Sequence, residues 1–447
     1  SGRRNQIGKS KLKAGALLMS NWLLALCGLV MLLLSGAGSI ARALPQITLS
    51  YPACFPVCSA DDQRRLLLDG DAERPVLTAL AEAERDIRFS IYTFSRRPIF
   101  DAMIAAQADR GVRIRGLVDR AQVENLESYC HEQVCDFQSL LPDINVEPMP
   151  LRERMALFAP LTIYQQSSLV GKLLMLSWKH EAEIAIRVGQ GRSRLMHNKF
   201  LIVDDRIVQT SSGNWSSTAM SVNFENRLEY RVPEDVSAIS AFACAFEAIW
   251  GRNGGGSAEQ LTQCGLKNQI YFTPANSSPE HIETRVLDAI NQTKATIDIS
   301  MHHLAHPGVY DALVGASDRG VMIRLLFDDD DCPNRLSDDL NRLLRAHPSQ
   351  VTVRYLPTQC KINQLSHNRF GVFDGNLLIN GSANWSLAGL RSNYETFQIY
   401  ENTAVVGTFA EQFERMFAAG LNKSECRCRL SEVTCRERYC RGEFNPF

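Results

Sequence analysis

The sequence predicts an α/β layered fold made of two similar halves, on three observations. Segments of helical and strand periodicity alternate, a stretch of the first third recurs later in the chain, and one histidine-bearing strand motif occurs twice. In the first copy, residues 76–80 read as helix, 87–93 as strand, 98–110 as a second helix stopped by Gly111, and 112–119 as a strand. In the second, a helix around Val286 and Leu287 leads to a strand over 296–301, a helix over 309–319, Gly320 as the stop and a strand over 321–328. A glycine just past the last helical turn is a common stop, because it enters the left-handed region without strain. The matched cores Asp109-Arg110-Gly111-Val112 and Asp318-Arg319-Gly320-Val321 lie 209 residues apart, a spacing that fits a duplicated domain and not a short-period solenoid.

The motif follows in each copy. The first reads Met196-His197-Asn198-Lys199-Phe200-Leu201-Ile202-Val203-Asp204 and the second Ser366-His367-Asn368-Arg369-Phe370-Gly371-Val372-Phe373-Asp374. A further apolar strand and a polar turn come next, Ser212-Gly213-Asn214-Trp215-Ser216 and Ser382-Ala383-Asn384-Trp385-Ser386, then Asn223 with Glu225 and Asn393 with Glu395. Counted from the histidine, both copies place a base at +2, Asp at +7, Ser at +15, Asn at +17 and Glu at +28. Residues two apart on a strand share a face, so His197 is expected beside Lys199 and His367 beside Arg369, while Asp204 and Asp374 have the opposite parity and are expected to serve structure. An imidazole beside a fixed cation suits attack on a phosphodiester, the cation holding non-bridging oxygens while neutral histidine attacks phosphorus.

Charge and cysteines bear on compartment and partners. Residues 1–43 hold six basic residues and no acid, which leaves 42 basic and 49 acidic residues in 44–447, a net of −7. A globally basic nucleic-acid binder is thereby excluded, and any polyanion site has to be a local patch. The basic start, the apolar run over 22–34 and the Ala41-Arg42-Ala43 cleavage pattern read as a signal peptide, with an uncleaved anchor as the alternative, so export to the periplasm or outside is expected. Twelve cysteines beyond Cys27 fit disulfides, with local pairs Cys54–Cys58, Cys130–Cys135, Cys244–Cys264 and Cys332–Cys360 expected. The rival reading, a zinc site among Cys426, Cys428, Cys435 and Cys440, lacks standard zinc spacing.

The duplicated His-x-Lys/Arg-x4-Asp motif resembles the phospholipase D superfamily, and the resemblance covers roughly residues 70–420. It implies two phospholipase D-like repeats packed about a pseudo-twofold axis with one shared active site, and a two-step reaction without metal or cofactor. By position, His197 would attack to give a phosphohistidine and His367 would serve as general acid and base, with the roles open to reversal. Lys199, Arg369, Asn214 and Asn384 would bind phosphate, and Ser212, Ser382, Glu225 and Glu395 would orient and polarise. Arg369 departs from the family lysine: it keeps the charge and adds a planar fork.

The expected organisation is a leader or anchor over 1–43, a first repeat over 44–255, a second over 256–420 and a Cys-rich tail over 421–447. The first repeat carries about 39 extra residues, placed at 149–192, apolar, aromatic and net +4 between Arg152 and Arg194. That segment suits a lipid surface, the flank of a nucleic-acid groove or plain core packing. The turn sequences resemble the endonuclease-like branch of the superfamily, so nucleic acid is the expected substrate. Phospholipid is the alternative, a non-catalytic phosphate-binding module the third reading, and no obligate protein partner is evident. His302, His303 and His306, set against Thr93, Phe94 and Arg96 of the first copy, are expected at the pocket, and the acidic run 328–331 as a solvated loop. His131, His180, His281 and His347 are expected at the surface.

Overall fold

The apolar runs that follow the two histidines are the central strands of two sheets. In a computed structural model, the described residues are 44–122, 173, 184–189, 194–251, 257–275, 281–329, 338–358 and 362–422. The first sheet holds β1 (Gln46–Leu49), β2 (Asp86–Ile91), β3 (Arg113–Val118), β4 (Ile184–Val188), β5 (Lys199–Val203), β6 (Ile207–Ser211) and β7 (Asn226–Arg231), in the order β1-β7-β6-β5-β2-β3-β4. The second holds β8 (Ile270–Thr273), β9 (Thr296–Met301), β10 (Met322–Asp328), β11 (Val351–Leu356), β12 (Arg369–Phe373), β13 (Leu377–Gly381) and β14 (Glu395–Glu401), in the order β8-β14-β13-β12-β9-β10-β11. The two orders match strand for strand. In each, three strands run parallel and the others pair antiparallel. Every residue of β5 and β12 is buried, as expected of strands covered on both faces.

Helices cover both sheets. On the outer face of the first lie α2 (Arg74–Ala81) and α3 (Arg97–Arg110), after the short α1 (Ala60–Asp69); their apolar sides meet Phe89, Ile114 and Val203. On the outer face of the second lie α6 (Ile282–Gln292), α7 (Pro307–Asp318) and α8 (Asp338–Ala346), packed on Ile299, Leu325 and Phe373. Between the sheets, α4 (Val236–Trp250) and α9 (Ala404–Ala419) share one core with Phe200, Phe272 and Phe370, and α5 (Ala258–Cys264) leads from α4 into β8. This shared core holds the halves together, since area removed from water stabilises at about 25 cal/mol per Å². Gly111 and Gly320 end their helices at φ +70° and +86°, as the sequence predicts.

β4 occupies the place in the first sheet that β11 occupies in the second. The extra residues of the first half, expected over 149–192, therefore end before Ile184: the short, half-buried strand β4 follows an apolar insertion without any break visible in composition. Of the expected cysteine pairs, Cys54 stands at disulfide distance from Cys58 and Cys244 from Cys264. The remaining cysteines, residues 1–43, the aromatic run of the insertion, the tail from 423, His131, His180 and acidic positions 330 and 331 lie outside the described residues. Among the described residues no helix is long and apolar enough to cross a membrane.

Candidate active site

Both histidines sit where the halves meet. Each lies two residues before its strand, not on it, in a short extended stretch that bridges to the other half: Met196 pairs with Tyr394, and Phe224 with Ser366. The His197 amide donates to the Tyr394 carbonyl at 3.0 Å, and the His367 amide to the Phe224 carbonyl at 3.0 Å. Asp119 and Asp328, at the ends of β3 and β10, accept from the amides of Met196 and Ser366 and so fix the approach to each histidine. The asparagines inside the motifs also tie the halves: Asn226 Nδ2 donates to Asn368 Oδ1 at 2.9 Å, and Thr396 Oγ1 to Asn198 Oδ1 at 2.7 Å.

Each imidazole is held by a carboxylate of the opposite half. His197 Nδ1 lies 2.9 Å from Glu395, and His367 Nδ1 lies 2.8 and 3.0 Å from the two oxygens of Glu225. Each glutamate is itself fixed within its own half. Ser212 Oγ donates to Glu225 and Ser382 Oγ to Glu395, both at 2.6 Å, while Asn223 and Asn393 donate at 3.2 and 3.3 Å. The structure thus brings together His197, His367, Glu225, Glu395, Ser212 and Ser382 from the predicted set. A carboxylate on Nδ1 keeps the proton there and leaves Nε2 with its lone pair.

The electrostatics favour neutral imidazoles. His197 and His367 are 4% and 7% exposed. Burial holds both well below the ordinary histidine range, and the cations Lys199 and Arg369 push them further the same way. Burial also raises Glu225 and Glu395 to about 7, against the pull of those cations. The cations are buried as well, and desolvation followed by mutual repulsion lowers Lys199 well below its ordinary value.

The basic residues are placed differently. Lys199 Nζ donates to the carbonyl of His197 at 2.8 Å and stands 5.6 Å from the centre of the Tyr92 ring. Arg369 donates through Nε to Asn384 Oδ1 at 3.0 Å, through Nη1 to the carbonyls of Ser212 at 2.8 Å and His367 at 3.1 Å, and its Nη2 lies 2.6 Å from His367 Nε2. Asn214, the counterpart of Asn384, has a buried Oδ1 without a hydrogen-bond partner among the described residues.

Asp204 and Asp374 stand at the hairpin turns after β5 and β12. Asp204 accepts from the amides of Glu84, Arg85 and Asp86 at 2.7, 2.8 and 2.7 Å, and Asp374 from those of Lys294, Ala295 and Thr296 at 2.8, 2.7 and 3.0 Å. They clamp the entry to β2 and β9.

Of the three further histidines expected at the pocket, His302 lies against a site residue: its ring meets that of His367 at 5.0 Å between centres. The strand pairing of Met301 with Arg369 and Ile91 with Lys199 sets His302 opposite Tyr92, not Thr93, and Tyr92 meets His197 at 4.8 Å in the same edge-on way. His306 is instead the cap of α7, 3.3 Å from Glu283, matching Arg96 beside Glu73 in the first half. His281 is buried, its Nδ1 accepting from the Glu283 amide at the start of α6; a cap with its ring turned inward is not told from a surface histidine by spacing. The role of Tyr92 and of Asp119 and Asp328 was not legible in the motif spacing, although each adjoins a repeated strand. Among the described residues no group of three or more His, Cys, Asp and Glu side chains is arranged to hold a metal ion.

Residues 76–250 and 286–417 match a family model described as "Cardiolipin synthase, PLD-like domain". The chain is similar to the "Mitochondrial cardiolipin hydrolase" of Chlamydomonas reinhardtii, 25% identical over 134 residues that make up 30% of this chain and 56% of that protein. The protein of the same description from Homo sapiens is 29% identical over 134 residues, 30% of this chain and 50% of its own length. The chain thus spans about half the length of the curated relatives it matches. In fold it is similar to phosphatidylserine synthase from Haemophilus influenzae, with a TM-score of 0.53 at 10% identity over 83% of this chain and 90% of that one.

Proposed function

The chain belongs to the phospholipase D superfamily, and on that premise we propose that it is a metal-independent phosphodiesterase acting through a covalent phosphohistidine. The observation that carries this reading is the reciprocal pairing of each imidazole with the carboxylate of the other half, which orients two histidines at one interface and gives each a carboxylate to share a proton with. In the first step, Nε2 of His197 attacks phosphorus, the P–O bond to the leaving alcohol breaks, and a proton carried by His367 goes to the departing oxygen. In the second, His367 takes a proton from water, the water oxygen bonds to phosphorus and the P–N bond breaks, returning both histidines to their starting state. Lys199 and Arg369 would face the non-bridging oxygens, with Asn214 and Asn384 beside them, where fixed positive charge in a dry site stabilises the five-coordinate transition state. Asp204 and Asp374 act at a distance, by setting the strands.

For the substrate we propose a nucleic-acid strand, on the resemblance of the Asn-Trp-Ser turns and Asn-x-Glu sequences to the endonuclease-like branch. The second reading, a phospholipid, is favoured by the similarity to a cardiolipin synthase family model and to cardiolipin hydrolases. Export, which would set the compartment of either substrate, is part of the proposal.

The test incubates the chain and its His197→Asn variant in EDTA with single-stranded DNA and, separately, with cardiolipin vesicles. DNA cleavage lost in the variant supports the nuclease reading, and vesicle hydrolysis lost in the variant moves the assignment to the phospholipid. If neither substrate is cut, the enzymatic reading gives way to a phosphate-binding module.

A further inference from the structure

Arg369 makes a contact for which Lys199 has no counterpart. A guanidinium offers donors and no acceptor. Its Nη2 lies 2.6 Å from His367 Nε2 and its Nη1 3.1 Å from Nδ1, so the guanidinium spans both ring nitrogens; with the Glu225 carboxylate holding the imidazole proton on Nδ1, the nitrogen with a lone pair to give Arg369 is Nε2. In that state the nitrogen that should serve the reaction is occupied: it cannot attack, take a proton from water or give one to a leaving group. Lys199, by contrast, donates to the backbone carbonyl of its own histidine and leaves the ring of His197 to Glu395. Arg369 is also anchored across the interface on the Ser212 carbonyl, beside the hydroxyl that orients Glu225, so its position is tied to the carboxylate that holds His367 from the other side.

We propose that Arg369 is a positioning residue that locks His367 Nε2 in the ligand-free protein and releases it when an anionic phosphate takes the guanidinium. The inference rests on the assignment of His367 as general acid and base. The groups facing His367 are Glu225 on its Nδ1 side, Arg369 along both ring nitrogens and nearest Nε2, and the His302 ring against its face, with His197 and Lys199 across the interface. When phosphate draws the guanidinium away, an anion replaces a cation at Nε2. The imidazolium is then stabilised on both sides, by Glu225 and by the phosphate. Phosphate binding thus loads onto His367 the proton that the leaving alcohol needs, and that proton withholds His367 as nucleophile, leaving that role to His197.

The experiment uses the full chain, with inorganic phosphate as probe, so it needs no turnover. Nitrogen-15 NMR of labelled histidines, with His367 assigned by its absence in His367→Asn, should report Nε2 as an unprotonated acceptor without phosphate and as protonated with it. Calorimetry in buffers of different ionisation enthalpy should find net proton uptake on phosphate binding near pH 7, at most about one per phosphate, as expected for a single linked group. In Arg369→Lys, the shorter amine should leave Nε2 free before phosphate is added and reduce the uptake to less than half. Phosphate that fails to bind, or that binds with no change at His367 Nε2 and no proton uptake in the unmodified chain, overturns the proposal. A lock seen by NMR in a chain that cuts neither DNA nor lipid would retain the inference and refute the phosphodiesterase reading; cleavage without the NMR change would do the reverse.

Discussion

The two halves repeat one scaffold strand for strand and part company at the reacting nitrogens. Where they agree, the residues do the same work twice: Ser212 and Ser382 fix glutamates, Glu225 and Glu395 fix the histidine opposite, and Asp204 and Asp374 clamp a turn. Where they differ at the site, one half has Lys199 on the carbonyl of its histidine and Tyr92 against the ring, and the other has Arg369 and His302 both against the ring. A symmetric frame can hold two identical groups, but a two-step displacement needs them to act differently. Within the site, the difference falls on side chains that can impose it.

The largest effects should come from breaking the equivalence of the histidines. His197→Asn removes the proposed nucleophile and is expected to cost roughly 10⁴-fold or more in kcat. His367→Asn removes only the acid and base, and is expected to cost about 10²–10⁴-fold while leaving a slowly hydrolysed adduct on His197. Stopped-flow measurement with an activated phosphodiester carrying a good leaving group separates the two, since such a substrate needs little help from an acid and should partly rescue His367→Asn but not His197→Asn.

The pH profile sharpens the comparison at a smaller scale. Each His–Glu pair titrates as a unit, and burial brings both carboxyls to about 7. The His197–Glu395 pair must have lost its extra proton to attack, so the rate should fall as pH drops below about 7. The His367–Glu225 pair must hold one, so the rate should fall as pH rises above about 7. A bell centred near neutrality is expected in kcat/KM, with Glu395→Gln flattening the acid limb and Glu225→Gln the alkaline limb. Limbs moved the opposite way would exchange the roles of the two histidines.

Much of this frame was legible in the sequence because its causes are local. Helix stops at Gly111 and Gly320 and the buried strands β5 and β12 follow from glycine geometry and apolar runs. The five polar positions in register picked out both histidines, both glutamates and both serines. The less visible parts depend on the partner half. That Glu395 serves His197, and not its own His367, is a property of the interface, as are the bridges from Met196 to Tyr394 and from Phe224 to Ser366. Strand β4 was absorbed into the insertion because only its place in the sheet marks it as part of the repeat. The pairing of His302 with Tyr92 hangs on a one-residue register that the sequence match alone leaves loose.

The smallest effect belongs to the clamps. Burial pushes the Asp374 carboxyl up, but three backbone amides outweigh it and hold the group below the ordinary aspartate range. Its contribution to stability is therefore full above that range and is lost as pH falls through the depressed value. Asp374→Asn should destabilise by about 1–2 kcal/mol at neutral pH, read by chemical denaturation, with kcat changed little. Asp204→Asn makes the matching test in the first half.

The most direct measurement is the site of the covalent adduct. The chain is mixed with a radiolabelled phosphodiester, quenched in alkali, where phosphohistidine survives, and mapped by peptide mass spectrometry. The account predicts the label on His197, accumulating in His367→Asn. Label on His367, or full turnover with no label on either histidine, would contradict it.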